Sequence, residues 1–333
     1  MIGVTGIGVY LPEARLTAGP IAQASGLPEW VVQEKLGLSA KPVPGEDDHP
    51  TEMGVRAARE ALSEAGVTPQ AVDVVISITE EYKEYPVWTA GIKLAHDLGA
   101  TRAYAFDVGQ KCGTGVLALK LARDLLRSDP ELDTVLIAGG YRNGDLIDFA
   151  DPNVRFMYNL GAGGAAAVVQ RDAGRNELLA SAIRTDGSFS LDVLVPVGGT
   201  KEPITAHNVD RYRLQVPDPQ GMKERLEQKS LDNFVQVVRE AVAKSGSDLA
   251  DIAYLAMLHV KPSAHRYLLE QLGLDESRSI YLRDYGHLGQ VDQFLSIKLA
   301  QEAGKLRQGD LVVLVAAGVG YVWNAICLRW GAP

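Results

Sequence analysis

The chain has 333 residues, 46% hydrophobic and 23% charged, with a formal net charge of −9. It has room for two domains or one large α/β unit, its acidic balance argues against non-specific nucleic-acid binding, and no apolar run reaches the roughly 18 residues of a membrane helix. Two cysteines, Cys112 and Cys327, make neither a disulfide framework nor a metal-ligand spacing, and the start, MIGVTGIGVYLPEARL, has no basic segment ahead of its apolar run, so a cytoplasmic protein without a metal site is expected.

In chain order, AREALSEAG at 58–66 has helical apolar spacing and ends at a glycine stop. VDVVISI at 72–78 reads as a buried strand, and Thr79, Glu80, Glu81 and the acid-rich loop TEEYKEYPVW at 79–88 follow it. AFDVGQKCGTGVLALKLA at 105–122 predicts a strand, a turn through Asp-x-Gly and a helix with Cys112 at its N-terminus. DTVLIAGG at 133–140 is again a buried strand entering a glycine turn. GAGGAAAVV at 161–169 has the look of a phosphate loop, but no Lys-Ser/Thr follows, so its small residues predict close packing of strand and helix.

The second half repeats the first. VREAVAKSG at 238–246 matches 58–66 at an offset of 180, and IAYLAML at 252–258 matches 72–78. LRDYGHLGQVDQFLSIKLA, ending at Ala300, matches the Cys112 segment as strand, turn and helix, and DLVVLVAAG at 310–318 matches 133–140. A unit this long is a duplicated α/β half rather than a solenoid repeat. The expected division is residues 1–172, carrying the cysteine, and 173–333.

The duplication locates a site, because ligands of open α/β sheets bind beyond the carboxyl ends of strands. Cys112, His259 and His287 all fall at such ends. A free cysteine is most often a small buried hydrophobe, and Cys327, inside NAICLRW, fits that reading. Cys112 differs: a helix N-terminus favours a thiolate, and Gly113 and Gly115 permit close approach. A lone His259 or His287 reads as a structural or turn residue, and His265 as surface. Together with Cys112, the first two suit a nucleophile that holds an acyl group beside two donors for an oxyanion. By this charge argument acylation needs only the helix terminus, and His287 acts on the later enolate.

These residues resemble the thiolase superfamily and, within it, β-ketoacyl-acyl-carrier-protein synthase III, nearly end to end. AFDVGQKCGTGVLAL is similar to that family's nucleophile segment, and AAGVGYVWNAICLRW to its C-terminal strand pair, which places Gly318 or Gly320 near the oxyanion. LPEWVVQEKLGL at 27–38 resembles the segment whose tryptophan stacks on the coenzyme A adenine, implying Trp30; RTDGSF at 184–189 resembles a family turn. The resemblance implies a five-layered αβαβα fold built from two duplicated halves, a homodimer, and no permanently bound cofactor. It implies coenzyme A thioesters as substrates, with an acyl carrier protein as a further partner. Cys112 would be acylated by an acyl-CoA, and His259 and His287 would stabilise the enolate formed from a malonyl thioester. The product is a β-ketoacyl thioester, for fatty-acid or specialised acyl-chain synthesis. Arg155, Lys261 and Arg266 are candidates for the coenzyme A phosphates, and Tyr85 for an aromatic sent into a partner's pocket.

The chain departs from the family in three places. His259 stands in LHVKPSAH where the family has Pro-His-Gln-Ala-Asn, His287 stands where it has asparagine, and Ala162 where it usually has aspartate. Glu80 matches best the place of the general-base glutamate of hydroxymethylglutaryl-CoA synthases; its bland reading is a surface loop. The alternatives are therefore a non-decarboxylative condensation or acyl transfer using Glu80, and, in another class, a non-catalytic partner subunit.

Overall fold

The computed structural model describes residues 1–332. Its elements in chain order are β1 (Ile2–Tyr10), β2 (Arg15–Thr17), α1 (Ala18–Ser25), β3 (Ala40–Pro42), α2 (Pro50–Ala65), β4 (Val74–Ser77), α3 (Ala90–Leu98), β5 (Tyr104–Asp107), α4 (Thr114–Ser128), β6 (Thr134–Tyr141), β7 (Gly163–Arg171), β8 (Glu177–Thr185), α5 (Pro219–Lys244), β9 (Ile252–Met257), α6 (Pro262–Gln271), α7 (Asp292–Glu302), β10 (Leu311–Gly318) and β11 (Val322–Arg329). Among the described residues no helix is long and apolar enough to cross a membrane.

The strands run β5-β4-β6-β7-β1 and then β8-β11-β10-β9, joined at a single Gly3–Glu177 pair. The second series repeats the first as β4/β9, β6/β10, β7/β11 and β1/β8, each half combining parallel and antiparallel pairs. Helices α2 and α3 cover the first series and α5 packs on the second, while α4 touches strands of both. The layers are therefore helix, sheet, helix, sheet, helix. Both α4 and α7 lie in the middle layer, which is why α7 buries Asp292, Gln293, Phe294, Leu295, Ser296 and Ile297 in succession.

The small residues of 161–169 act as the sequence predicts. A Cβ at Gly164 would sit 2.3 Å from Met53 O, and one at Gly140 would sit 2.3 Å from Pro50 O. Helix α2 thus lies directly on sheet backbone, and glycine is the residue that fits there. Both duplicated outer helices stop where the glycines predict: Gly66 and Gly246 adopt φ of 66° and 71°.

The expectation of a strand before Tyr285 is not met. Residues 280–283 run beside β9 without joining a ladder, and side chains replace the strand pairing. Ser279 Oγ donates to Leu255 O at 2.8 Å, and the Ile280 N–H donates to Tyr254 Oη at 3.2 Å. The second series therefore has no counterpart of β5.

Candidate active site

Cys112 lies on a single tight turn, Lys111–Gly113, that leads from β5 into α4. Lys111 just before it has φ +53°, an uncommon conformation for a residue with a Cβ. Thr114 holds the turn, its hydroxyl accepting from Gln110 N at 2.8 Å and donating to Lys111 O at 2.6 Å. Asn324 of β11 braces the other side, donating to Gln110 Oε1 and Gly113 O, each at 2.8 Å. Gly318 is needed here as well: a Cβ on it would lie 2.5 Å from Gln110 O and 3.1 Å from Cys112 N.

His287 enters from the turn that leads into α7, with no strand before it. Its N–H donates to Asn159 O at 2.9 Å, and its carbonyl accepts from Gly161 N at 3.0 Å. The ring lies between Cys112 and an aspartate: Nε2 is 3.1 Å from Cys112 Sγ, and Nδ1 is 2.6 Å from Asp292 Oδ2. A carboxylate only accepts, so Nδ1 carries the proton and Nε2 is left to take one from the thiol. Cys112, His287 and Asp292 form a nucleophile–base–orienter relay. The expectation set the His287 imidazole at a distance from the thiol, and the geometry differs from it. His287 touches the nucleophile rather than standing away from it.

Asp292 was not singled out in the sequence, where an acid at a helix start reads as a favourable dipole partner. It is fully buried and also accepts from Leu288 N at 2.6 Å and His259 N at 2.8 Å. One carboxylate thus fixes both histidine segments. The available signal was an acid five residues after His287, at the start of the helix that follows the YGH turn.

His259 reaches the same site but not in the expected role. Its Nε2–H is committed to Gly37 O at 3.0 Å, and its Nδ1 accepts from Asn159 Nδ2 at 2.7 Å. Burial lowers its pKa to about 4, so the ring is neutral and both nitrogens are occupied. Asn159 is itself held in place by Lys41, whose buried ammonium donates to Tyr158 O at 2.8 Å and Leu160 O at 2.6 Å.

Burial raises the pKa of the Cys112 thiol, against the lowering influence of His287. Burial also disfavours the charged form of His287, but Asp292 and Cys112 outweigh it and hold the ring well above its ordinary pKa. Thiol and imidazole titrate as a pair.

These groups open on one cavity of about 830 Å³, lined mostly by aliphatic and aromatic side chains. Cys112, His259, His287, Glu80, Arg155 and Lys261 all line it. Glu80 is 5% exposed, which corrects the surface-loop reading. His265 is likewise buried, at 5%, and stacks edge-on against Tyr281, correcting the surface reading there. Gly318 packs against the nucleophile turn, and Gly320, with φ +117°, lies between the lining residues Val319 and Tyr321. Trp30, Tyr85 and Arg266 are not among the lining residues; Trp30 and Tyr85 are exposed, and Tyr85 sits edge-on against Trp88.

Two family models match, 3-oxoacyl-[acyl-carrier-protein (ACP)] synthase III over residues 106–187 and its C-terminal counterpart over 242–330, together more than half of the chain. A β-ketoacyl-[acyl-carrier-protein] synthase III of Symbiobacterium thermophilum is 26% identical, covering 99% of this chain and 98% of that protein. The enzyme of the same name from Rhodospirillum centenum is 28% identical, over 98% of each. The crystal structure of 3-oxoacyl-[acyl-carrier-protein] synthase III from Aquifex aeolicus superposes with a TM-score of 0.86 at 22% identity, covering 99% of this chain and all of that one.

Proposed function

The chain belongs to the 3-oxoacyl-[acyl-carrier-protein] synthase III family of thiolase-like proteins, and on that footing we propose that it is an acyl-thioester condensing enzyme working through acyl-Cys112. The reaction is a decarboxylative Claisen condensation of an acyl thioester with a malonyl thioester. The observation that carries this reading is the Cys112–His287–Asp292 relay at the wall of a large apolar cavity.

His287 Nε2 takes the thiol proton, and the thiolate attacks the thioester carbonyl. Asp292 stabilises the imidazolium that results. The coenzyme A thiolate leaves with that proton, and the acyl chain lies in the cavity. Arg155 and Lys261 line the cavity, which supports assigning them to the coenzyme A phosphates. We assign the backbone N–H of Cys112, packed against Gly318, as a donor for the tetrahedral oxyanion. Decarboxylation then requires a donor for the enolate oxygen, so the His259 Nε2–H must turn from Gly37 O to the substrate.

We also propose a homodimer. β5 is an edge strand with Tyr104 half exposed, and Ile92 and Val87 beside the same edge are exposed. Pairing two such edges would cover them and would leave Tyr85 free to reach a partner's cavity. A non-catalytic subunit would have no use for a complete relay.

A second reading has its own observation. The relay is the arrangement of an acyl-transfer enzyme, and His259 has no free N–H for an enolate. Acyl transfer without decarboxylation fits both facts. A panel of acyl-CoA starters, crossed with malonyl-CoA and malonyl-carrier protein and read by product mass, separates the two. β-Ketoacyl products with release of carbon dioxide support condensation. An acyl-enzyme that forms but yields no new C–C bond supports transfer.

A further inference from the structure

Lys41, the middle residue of β3, is 1% exposed, and among the described residues its ammonium makes no ion pair. Its partners are neutral: Nζ donates to Tyr158 O at 2.8 Å and Leu160 O at 2.6 Å, and lies 5.0 Å from the centre of the Phe149 ring. Asp145 acts on it only from a distance and is itself paired with Arg142 at 2.6 Å. Burial lowers the Lys41 pKa to about 7 against that influence. An unpaired buried ammonium is costly, and a methionine would fill the same space without the cost. Groups perturbed in this way gather at functional sites.

The segment that Lys41 holds stands between the two histidines. Tyr158 O and Leu160 O, on either side of Asn159, turn to the ammonium, while Asn159 O accepts from His287 N at 2.9 Å. Gly161 N completes the bracket by donating to His287 O at 3.0 Å, and Ala162 N donates to Pro42 O, next to Lys41, at 3.1 Å. The Asn159 side chain reaches the other histidine, its Nδ2 lying 2.7 Å from His259 Nδ1. That bond matters most during turnover. At rest, Gly37 O and Asn159 both keep the His259 proton on Nε2. Once the Nε2–H leaves Gly37 O for an enolate oxygen, Asn159 alone keeps it there. A neutral imidazole without that donor can carry its proton on either nitrogen, and the other tautomer would present a lone pair to the enolate.

We propose that Lys41 is a positioning residue for the reaction: through Asn159 it fixes the tautomer of His259 and sets the backbone of His287 against Cys112. Lys41 is not among the cavity-lining residues and touches no substrate. The assignment rests on the condensing-enzyme reading and adds to it a residue outside the cavity. It concerns both steps unequally. Acylation uses the His287 ring, which Asp292 also holds. Decarboxylation needs the His259 Nε2–H, which only Asn159 secures once Gly37 O is released.

The test compares wild type with Lys41→Met, which keeps the length and removes the donors, and Lys41→Gln, which keeps two N–H donors without the charge. Acylation is read by intact-protein mass and decarboxylation by carbon dioxide release from malonyl-CoA, both normalised to the folded fraction. The His259 ring is read by ¹⁵N spectra of histidine-labelled protein, its signals assigned by their loss in His259→Gln. In wild type Nε2 should be protonated and Nδ1 not. In Lys41→Met the two signals should move toward each other, and carbon dioxide release should fall at least tenfold more than acylation. Lys41→Gln should recover most of that loss. Adding Asn159→Ala to Lys41→Met should change the rate less than twofold further, because Lys41 acts through Asn159. A wild-type His259 spectrum in Lys41→Met, equal losses in the two steps, or losses that multiply in the double variant overturn the proposal. Failure of both Lys41 variants to fold makes the residue a requirement of folding only and overturns it too. Absence of acyl-enzyme or of carbon dioxide release in wild type overturns the condensing-enzyme reading itself, before any variant is compared.

Discussion

His287 Nε2 lies 3.1 Å from Cys112 Sγ across 175 positions of sequence, and the Asp292 carboxylate holds the far side of the same ring. The two residues are brought together because each heads a central helix, α4 or α7, and those helices cross closely. A Cβ on Gly115 would meet both Gln290 O and Phe294 at 2.8 Å. The chemistry of the thiol therefore belongs to the pair.

Cys112 is expected to be the acylation site. Cys327 is fully buried within β11, and burial raises its pKa to about 11. Iodoacetamide should label Cys112 faster, and prior acyl-CoA should protect it. Equal labelling of both thiols would count against the assignment.

Asp292→Asn should slow acylation a hundredfold or more at neutral pH. The charge that stabilises the imidazolium would be lost, and the amide NH₂ would be set against one of the N–H groups of Leu288, His259 or His287 that the carboxylate accepts from. His287→Ala should impair acylation too, because its ring contacts the nucleophile. His287→Asn regains an N–H donor but no base. It should therefore decarboxylate malonyl thioester faster than His287→Ala while remaining slow to acylate. Single-turnover acylation and carbon dioxide release separate the steps; unimpaired acylation in His287→Ala would remove the relay.

Gly318→Ala should cost about 1–3 kcal/mol of stability and displace the nucleophile turn. Its Cβ would fall 2.5 Å from Gln110 O, and backbone must move to relieve it. Denaturant melts and acylation rates should fall together; a variant that melts and acylates like wild type would show that the turn is not held this tightly.

His265 and His259 are both lowered from 6.5 to about 4, burial being the main cause. The unfolded chain binds their protons first, so the stability they confer is complete above pH 6.5 and is lost as pH falls toward 4. A shift of that size is worth about 3 kcal/mol per group. His287, held well above its ordinary value by Asp292 and Cys112 against burial, acts oppositely, losing stability as pH rises above 6.5. His265→Phe should flatten the pH dependence of unfolding between 6.5 and 4 relative to wild type, as read from denaturant melts at pH 7 and 4.5. Parallel profiles would refute this.

The protein should sediment as a dimer at micromolar concentration. Ile92→Arg, beside the exposed β5 edge, should shift it toward monomer. A wild-type monomer would remove the partner role of Tyr85.

The duplication, the buried strands and the placement of Cys112 and His259 beyond strand ends are local properties of the sequence. Apolar periodicity, glycine stops and a constant 180-residue offset carry them, and they held because burial on both faces demands those patterns. What the side chains do at the site depended on atoms brought from distant segments. The proton on His259 is placed by Gly37 O, the tautomer of His287 by Asp292, and the burial of Glu80 by its pairing with Asn143. The missing counterpart of β5 was likewise decided by Ser279 and Tyr254 taking over the ladder's hydrogen bonds. Pattern reports which face of an element is buried. Hydrogen-bond direction and charge at a site are set by which donors and acceptors the folded chain brings within 3 Å, and only the tertiary structure supplies those distances.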